Sequence, residues 1–276
     1  MEQAVITRPQ RANGRGRLDA KFLDGRTRLA TFFQEGCAKI RMPESFDGRM
    51  EAVLINSSGG LTGGDRLSWD FTAGTGTHLT LTTQACEKIY KASSDTALVT
   101  TNITVQERAV LHWLPQESIV FDQASLTRTL DVNLHETSEF LGIEAILLGR
   151  KAMGESVNAG LVRDRWRIRK SGKLIHAEEL ALSGPIKEIS AEKAVLNSHV
   201  AFATLLYVGP KAESHLATVR GVMDAQNEHG LAGTSLWNDK LIARFMSSDG
   251  FSLRKLLVPV ISALRDGASV PKVWNL

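Results

Sequence analysis

His78-Leu79-Thr80-Leu81-Thr82-Thr83 is the stretch on which the fold turns. Leucine and threonine alternate at every step, a period of two that sends successive side chains to opposite faces of an extended strand. Threonine strengthens the reading, because a β-branched side chain suits a pleated surface better than a helical turn. Working outward, the same alternation returns in Thr100 to Val105 and in Thr129 to Leu134, where Leu130, Val132 and Leu134 share one face. Phe140 to Leu148 and Arg165 to Arg169 also have strand character. Turn signals separate these runs at Asp24-Gly25, Asp47-Gly48, Gly74-Thr75-Gly76 and Ser171-Gly172. No helical pattern intervenes before about residue 186, so an alternating βαβ fold is disfavoured and a large, mainly antiparallel β architecture is expected.

Two helices are expected late in the chain. Residues 212 to 228 set Leu216, Val219, Val222 and Met223 on one stripe, with Gly230 just beyond as a stop. Residues 251 to 266 place Leu253, Leu256, Leu257, Val260, Ile261 and Leu264 at helical spacing. Asp249 or Ser252 can cap this second helix, Gly267 follows its end, and Pro259 implies a kink or a later start. Leu241, Ala243 and Phe245 alternate as one more strand between them. No repeat of fixed period is visible, so the pattern alone gives no sign of a solenoid. The first seventeen residues, rich in arginine and glycine, read as a flexible N-terminal arm, and residues 18–276 as a single domain.

Composition removes several classes of function. A net charge of +3 on 276 residues gives no electrostatic case for nucleic acid. Arg8, Arg11, Arg15 and Arg17 form one basic run and Arg163, Arg165, Arg167 and Arg169 another. The first has no aromatic among its arginines and the second only Trp166, so both read as solvated surface, with docking to an acidic partner as the alternative. Cys37 and Cys86 are far apart, which argues against a disulfide framework or a cysteine-built zinc site and fits a reducing cytosol. No apolar leader or membrane-length run is present, and a cytoplasmic protein is expected.

Ser58-Gly59-Gly60-Leu61-Thr62-Gly63-Gly64-Asp65-Arg66 could in principle cradle a phosphate. Asp65, however, stands where a P-loop needs lysine, and a strand pattern (Leu67 to Phe71) follows where a dinucleotide fingerprint needs a helix. Gly59, Gly60, Gly63, Gly64 and Asp65 are therefore read as a structural motif. The seven histidines are scattered singly, without metal-ligand spacing, and no catalytic motif occurs. No enzyme is expected. Glu144 is the most informative charge, since it stands inside the hydrophobic run Phe140 to Leu148, where a carboxylate is costly unless paired, hydrated or bound to a cation. One reading pairs it with Arg150 or Arg163; the other makes it an oxygen ligand in a water-lined interior. Glu178 and Glu179 raise the same question, and in a strand they must face opposite ways.

Taken together, several segments resemble the UreD (UreH) family of urease accessory proteins. Gly59 to Asp65 is similar to that family's PPGGxxGGD element, with Ser57-Ser58 in place of the prolines. Thr83 to Lys91 resembles T-x-x-A-x-K-x-Y-[KR] with Cys86 at the alanine position, Trp113 to Phe121 matches W-L-P-Q-[ED]-x-I-x-F, and Leu148 to Glu155 matches L-G-R-x-x-x-G-E. Gly233 to Leu236, Arg244-Phe245 and Val270 to Trp274 continue the series in family order. The resemblance implies a mainly β fold with stacked sheets in a β-helix-like body and about two C-terminal α-helices. It implies a non-enzymatic maturation factor whose partners are apo-urease, UreF and the GTPase UreG, with no nucleic acid, no membrane and a dimer of complexes left open. No cofactor is held permanently; nickel passes in transit. The family's acidic passage positions fall on Glu144 and on Glu178, with Glu179 as the alternative to the latter. A purely structural adaptor, with no metal path of its own, is the second reading.

Overall fold

The computed structural model describes residues 10–45, 47–150 and 153–275. Its strands are β1 (Asn13–Leu23), β2 (Arg26–Gly36), β3 (Ala38–Arg41), β4 (Met50–Asn56), β5 (Arg66–Ala73) and β6 (His78–Thr83). There follow β7 (Glu87–Ile89), β8 (Ala97–Val105), β9 (Val110–Leu114), β10 (Ser118–Val120), β11 (Ser125–Leu134) and β12 (Glu139–Leu148). The last strands are β13 (Gly160–Lys170), β14 (Lys173–Gly184), β15 (Ala201–Val208), β16 (Leu231–Trp237) and β17 (Lys240–Ser247). The helices are α1 (Ile186–Ala191), α2 (Ala212–Ala225) and α3 (Gly250–Leu264).

Two sheets face each other. One runs β14-β13-β11-β8-β5-β1-β2, the other β16-β17-β15-β12-β9-β6-β4-β3, with β10 and β7 attached beside β12. From β4 to β13 the chain crosses between them, so that β5, β8, β11 and β13 stack in one sheet and β4, β6, β9 and β12 in the other. All of those pairings are parallel. The body is thus a stacked-sheet, β-helix-like coil, as the family resemblance implied. It corrects the mainly antiparallel expectation. Parallel strands normally lie buried on both faces and read as continuous apolar runs. Here the outer face of the seven-stranded sheet meets solvent, so β11 alternates between buried and half-exposed positions and carries the signature usual for antiparallel strands. Antiparallel pairing is confined to the margins, at β1–β2, β3–β4, β13–β14 and the β12–β15–β17–β16 series.

β1 begins at Asn13, ahead of the expected domain start at residue 18, and residues 1–9 of the expected arm lie outside the described residues. Gly14 and Gly16 explain the missed start. Both face inward, where an added Cβ would lie 2.6 Å from the Ala38 nitrogen and 2.2 Å from the Trp69 ring respectively. Close approach of backbone to core excludes an apolar side chain, and the alternation vanishes from the sequence. β16 was also missed, its exposed residues lacking an apolar face.

The ten-stranded sheet is covered on its outer side by α2 and α3, which bury Leu141, Ile143, Leu205, Val219, Leu257 and Ile261 in one cluster. Asp249 accepts a hydrogen bond from the Ser252 amide at 2.8 Å and caps α3, which runs through Pro259 to Leu264 from Gly250. An ion pair between the half-buried Arg254 and the buried Glu117 clamps this helix to the body: Arg254 Nε lies 2.7 Å from Glu117 Oε1, and Arg254 Nη1 donates to the Trp274 carbonyl at 3.0 Å. Burial works to raise the Glu117 pKa, but the Arg254 guanidinium outweighs it and holds it below the usual value. Arg254→Met leaves that carboxylate buried and unpaired, so a loss of about 3–5 kcal/mol in urea unfolding is expected. Trp274 fluorescence should report it.

His78 and His112 stack edge to face between strands, ring centres 5.0 Å apart. Burial, with Arg49 and Arg265 adding, drives the His78 pKa from 6.5 down to about 4. Burial, then His78, pushes His112 well below its usual value. Both folded values lie under the unfolded one, so the unfolded chain takes up protons first as pH falls. The stability these neutral rings contribute is full above about pH 6.5 and is lost as pH falls toward 4. Relative to a His78→Phe, His112→Phe chain, which lacks this share, the wild-type chain should lose roughly 2 kcal/mol in urea unfolding between pH 7 and pH 5.5.

Candidate functional site

The space between the sheets holds two apolar clusters, one around Leu18, Trp69, Phe71, Leu130, Phe140 and Trp166, the other around Leu61, Leu126, Ile146, Val162, Leu182 and Phe202. A polar seam separates them. Each contributing strand carries a charge at one inward position between apolar neighbours: Arg128 between Leu126 and Leu130, Asp164 between Val162 and Trp166, Glu144 between Gly142 and Ile146. Register aligns them. Arg128 pairs directly with Asp164 across β11 and β13. On the opposite sheet Glu144, Thr204, Arg244 and Gly233 stand in one row across β12, β15, β17 and β16.

Glu144 is buried and paired with Arg128, neither with Arg150 nor with Arg163. Its Oε2 lies 2.6 Å from Arg128 Nη1, and its Oε1 accepts from Trp113 Nε1 at 2.9 Å. Arg150 instead pairs with Glu155 and Arg163 with Glu179. Arg128 Nη2 meets Asp164 Oδ2 at 2.7 Å, and Nη1 also donates to Ser118 Oγ at 3.0 Å. Burial pushes the Glu144 carboxyl up to about 7, with Arg128 pulling the other way. Burial opposes the Arg128 charge, but Asp164 and Glu144 outweigh it and hold the guanidinium cationic.

Glu178 faces inward and Glu179 outward, the latter pairing with Arg163 and Arg167 on the solvent side. Arg244 holds Glu178 at 2.8 and 3.1 Å, Thr204 Oγ1 donates to it at 3.1 Å, and His176 Nε2 lies 3.4 Å away. Burial works against the Glu178 charge; His176, Arg244 and Thr204 outweigh it and keep its pKa below the usual range.

Glu144, Asp164, Glu178, Thr204 and Arg244 line one cavity of about 350 Å³, whose remaining wall includes Ile146, Leu182, Phe202 and Met246. A smaller cavity of about 60 Å³ lies on the far side of Arg128 and also touches Glu144, together with Thr101, Ser118 and Glu87. Burial raises the Glu87 carboxyl to about 7, while a hydrogen bond donated by Asn56 Nδ2 at 3.1 Å pulls it down. The structure therefore brings Glu144 and Glu178 to the same space. Arg128, Asp164, Glu87 and Arg244 were missed. For Arg128 and Asp164 the signal was present, as a charge at the inward phase of an alternating strand.

Gly59 to Asp65 lies apart from this cavity, as the turn from β4 into β5. Gly59, Gly60 and Gly64 have φ of 79°, 145° and 90°, and a Cβ on Gly63 would lie 2.0 Å from the Ser94 carbonyl. The Asp65 carboxylate accepts from the amides of Ala12 and Thr62, both at 2.8 Å, so its oxygens are engaged within the turn. Cys37 and Cys86 are free thiols. Among the described residues no group of three or more His, Cys, Asp or Glu is placed to hold a metal, and no helix is long and apolar enough to cross a membrane. Lys151 and Ala152 of the L-G-R stretch lie outside the described residues.

The chain matches the family described as UreD urease accessory protein over residues 12–275. It belongs to the UreD family. It is 63% identical over 273 residues to the urease accessory protein UreD of Rhizobium rhizogenes, covering 99% of this chain and 98% of that one. It is 62% identical to the UreD of Rhizobium leguminosarum bv. viciae over the same shares, and 46% identical to that of Chelativorans sp. across 100% of this chain and 98% of the relative. UreD proteins are accessory factors, not enzymes, and in this UreD-family chain His112 and His176 are buried against aromatic rings, while His215 stacks on Tyr207.

Proposed function

We propose that this chain is a non-enzymatic scaffold of urease maturation that binds apo-urease together with UreF and UreG and passes nickel through its interior seam. Membership of the urease accessory family supports the maturation role. The observation that carries the route is that Glu144 and Glu178, on different sheets, line one cavity. Carboxylates suit cargo. Several histidines or thiolates would hold divalent nickel tightly, since affinity climbs toward copper along the first-row series, whereas oxygen donors with water exchange quickly. The residues fit a passing ion better than a resident one, because each acid already has an arginine partner and no fixed ligand set of three is preformed among the described residues.

The scaffold part is tested by co-purification. Apo-urease, or a UreF–UreG complex, should be retained by this chain, and absence of both would overturn it. The second reading, a structural adaptor in the same complex, draws on the ion pairs of Glu144 and Glu178. It is separated from the first by Glu144→Gln: an adaptor matures urease at the full rate with that change.

A further inference from the structure

The wall between the two cavities consists of one cation and two carboxylates. Glu144 touches both spaces, Asp164 lines the larger and Arg128 the smaller. The Arg128 guanidinium bridges the acids, 2.6 Å from Glu144 and 2.7 Å from Asp164. The fit is incomplete. Asp164 Oδ1 and Glu144 Oε2 are both buried without a hydrogen-bond partner among the described residues, the latter because its 2.6 Å approach to Arg128 lacks hydrogen-bond alignment, and Arg128 Nε is likewise unpartnered. Buried acceptors are satisfied in nearly all native structures, so orphan oxygens on two acids that line one cavity mark a place for a ligand.

We infer that Arg128 is a tethered counter-cation that closes the passage at Glu144 and Asp164, and that a divalent cation in transit takes its place between them. This rests on the seam being the route proposed above. The charge count explains why a plug is needed. Two neighbouring buried carboxylates, both ionised and without a cation, are strongly unfavourable, so a seam that keeps both ionised holds positive charge between passages as well as during them. One guanidinium leaves this trio with a net charge of −1; one divalent ion balances both acids. A monovalent cation has no such advantage over Arg128, whereas a doubly charged one does, because interaction energy scales with charge. The displaced guanidinium keeps a partner in Ser118, toward the smaller cavity, where it already donates at 3.0 Å. The plug therefore selects for divalent ions and holds the interior folded while empty of cargo.

The test uses the untagged full chain and nickel(II) chloride against EDTA, read by thermal unfolding and equilibrium dialysis. Arg128→Gln should bind nickel at least about tenfold more tightly than the wild-type chain, since the competing charge is gone. Nickel should raise its unfolding midpoint, or restore folding if the metal-free variant is unfolded. Arg128→Lys, whose compact ammonium cannot span both acids, should fall between the two. Adding Glu144→Gln and Asp164→Asn to Arg128→Gln should abolish the gain. Equal nickel effects on wild type and Arg128→Gln, or none on either, overturn the plug while leaving the route to be judged by urease maturation with Glu144→Gln. A gain that survives the triple change places the metal elsewhere and overturns it too.

Discussion

Urease matured with the Glu144→Gln chain is expected to contain about a tenth or less of the usual nickel, while the variant folds and joins the assembly normally. The substitution keeps the shape of the side chain, so the Trp113 indole, 2.9 Å away, retains an acceptor and the core stays filled. Arg128 keeps Asp164 at 2.7 Å, leaving a balanced pair in place of a trio with excess negative charge. Only the ligand character is lost. Changing a group that merely orients a metal ligand costs roughly 10–100-fold in affinity or activity, so loss of an oxygen donor on the route should reach at least the lower figure. Glu144→Ala is the poorer experiment, because it also opens a cavity between two apolar clusters. Metal analysis of the matured enzyme, alongside circular dichroism of the variant, is the measurement. Full activation would remove Glu144 from the route.

Arg128→Met should lower folding stability by about 3–5 kcal/mol, because it strips both Glu144 and Asp164 of their buried partner. Urea unfolding would show a lower midpoint with little change in slope. Adding Glu144→Gln and Asp164→Asn should return a large part of the loss, since the penalty belongs to the unpaired charges and the three sites act as one unit. A cost below about 1 kcal/mol for Arg128→Met, in the range of an exposed pair, would mean that water reaches the trio and that the seam is not sealed.

Glu144 was legible because it interrupts an otherwise apolar run, and Glu178 because the family pattern placed it. Arg128 and Asp164 carry the same mark on strands whose outward positions are also polar, so a single inward charge does not stand out there. Leu126-Thr127-Arg128-Thr129-Leu130 reads as ordinary alternation until the register of β11 is known. Arg244, more than sixty positions from Glu178, has no local sign of its partner at all.

Local pattern sufficed for the longer alternating strands, the turns between them and the two long helices: His78–Thr83 is β6 to the residue, and α3 runs from its Asp249 cap to just short of Gly267. Those choices depend on backbone preference and on which side chains face water, both local properties. Tertiary structure alone decided that the strands pair in parallel, since a strand with one solvated face alternates whichever way its neighbour runs. It alone decided which charges meet, because partners such as Arg128 and Glu144 are joined by sheet stacking and not by chain proximity. The seam exists only where the two sheets close over it.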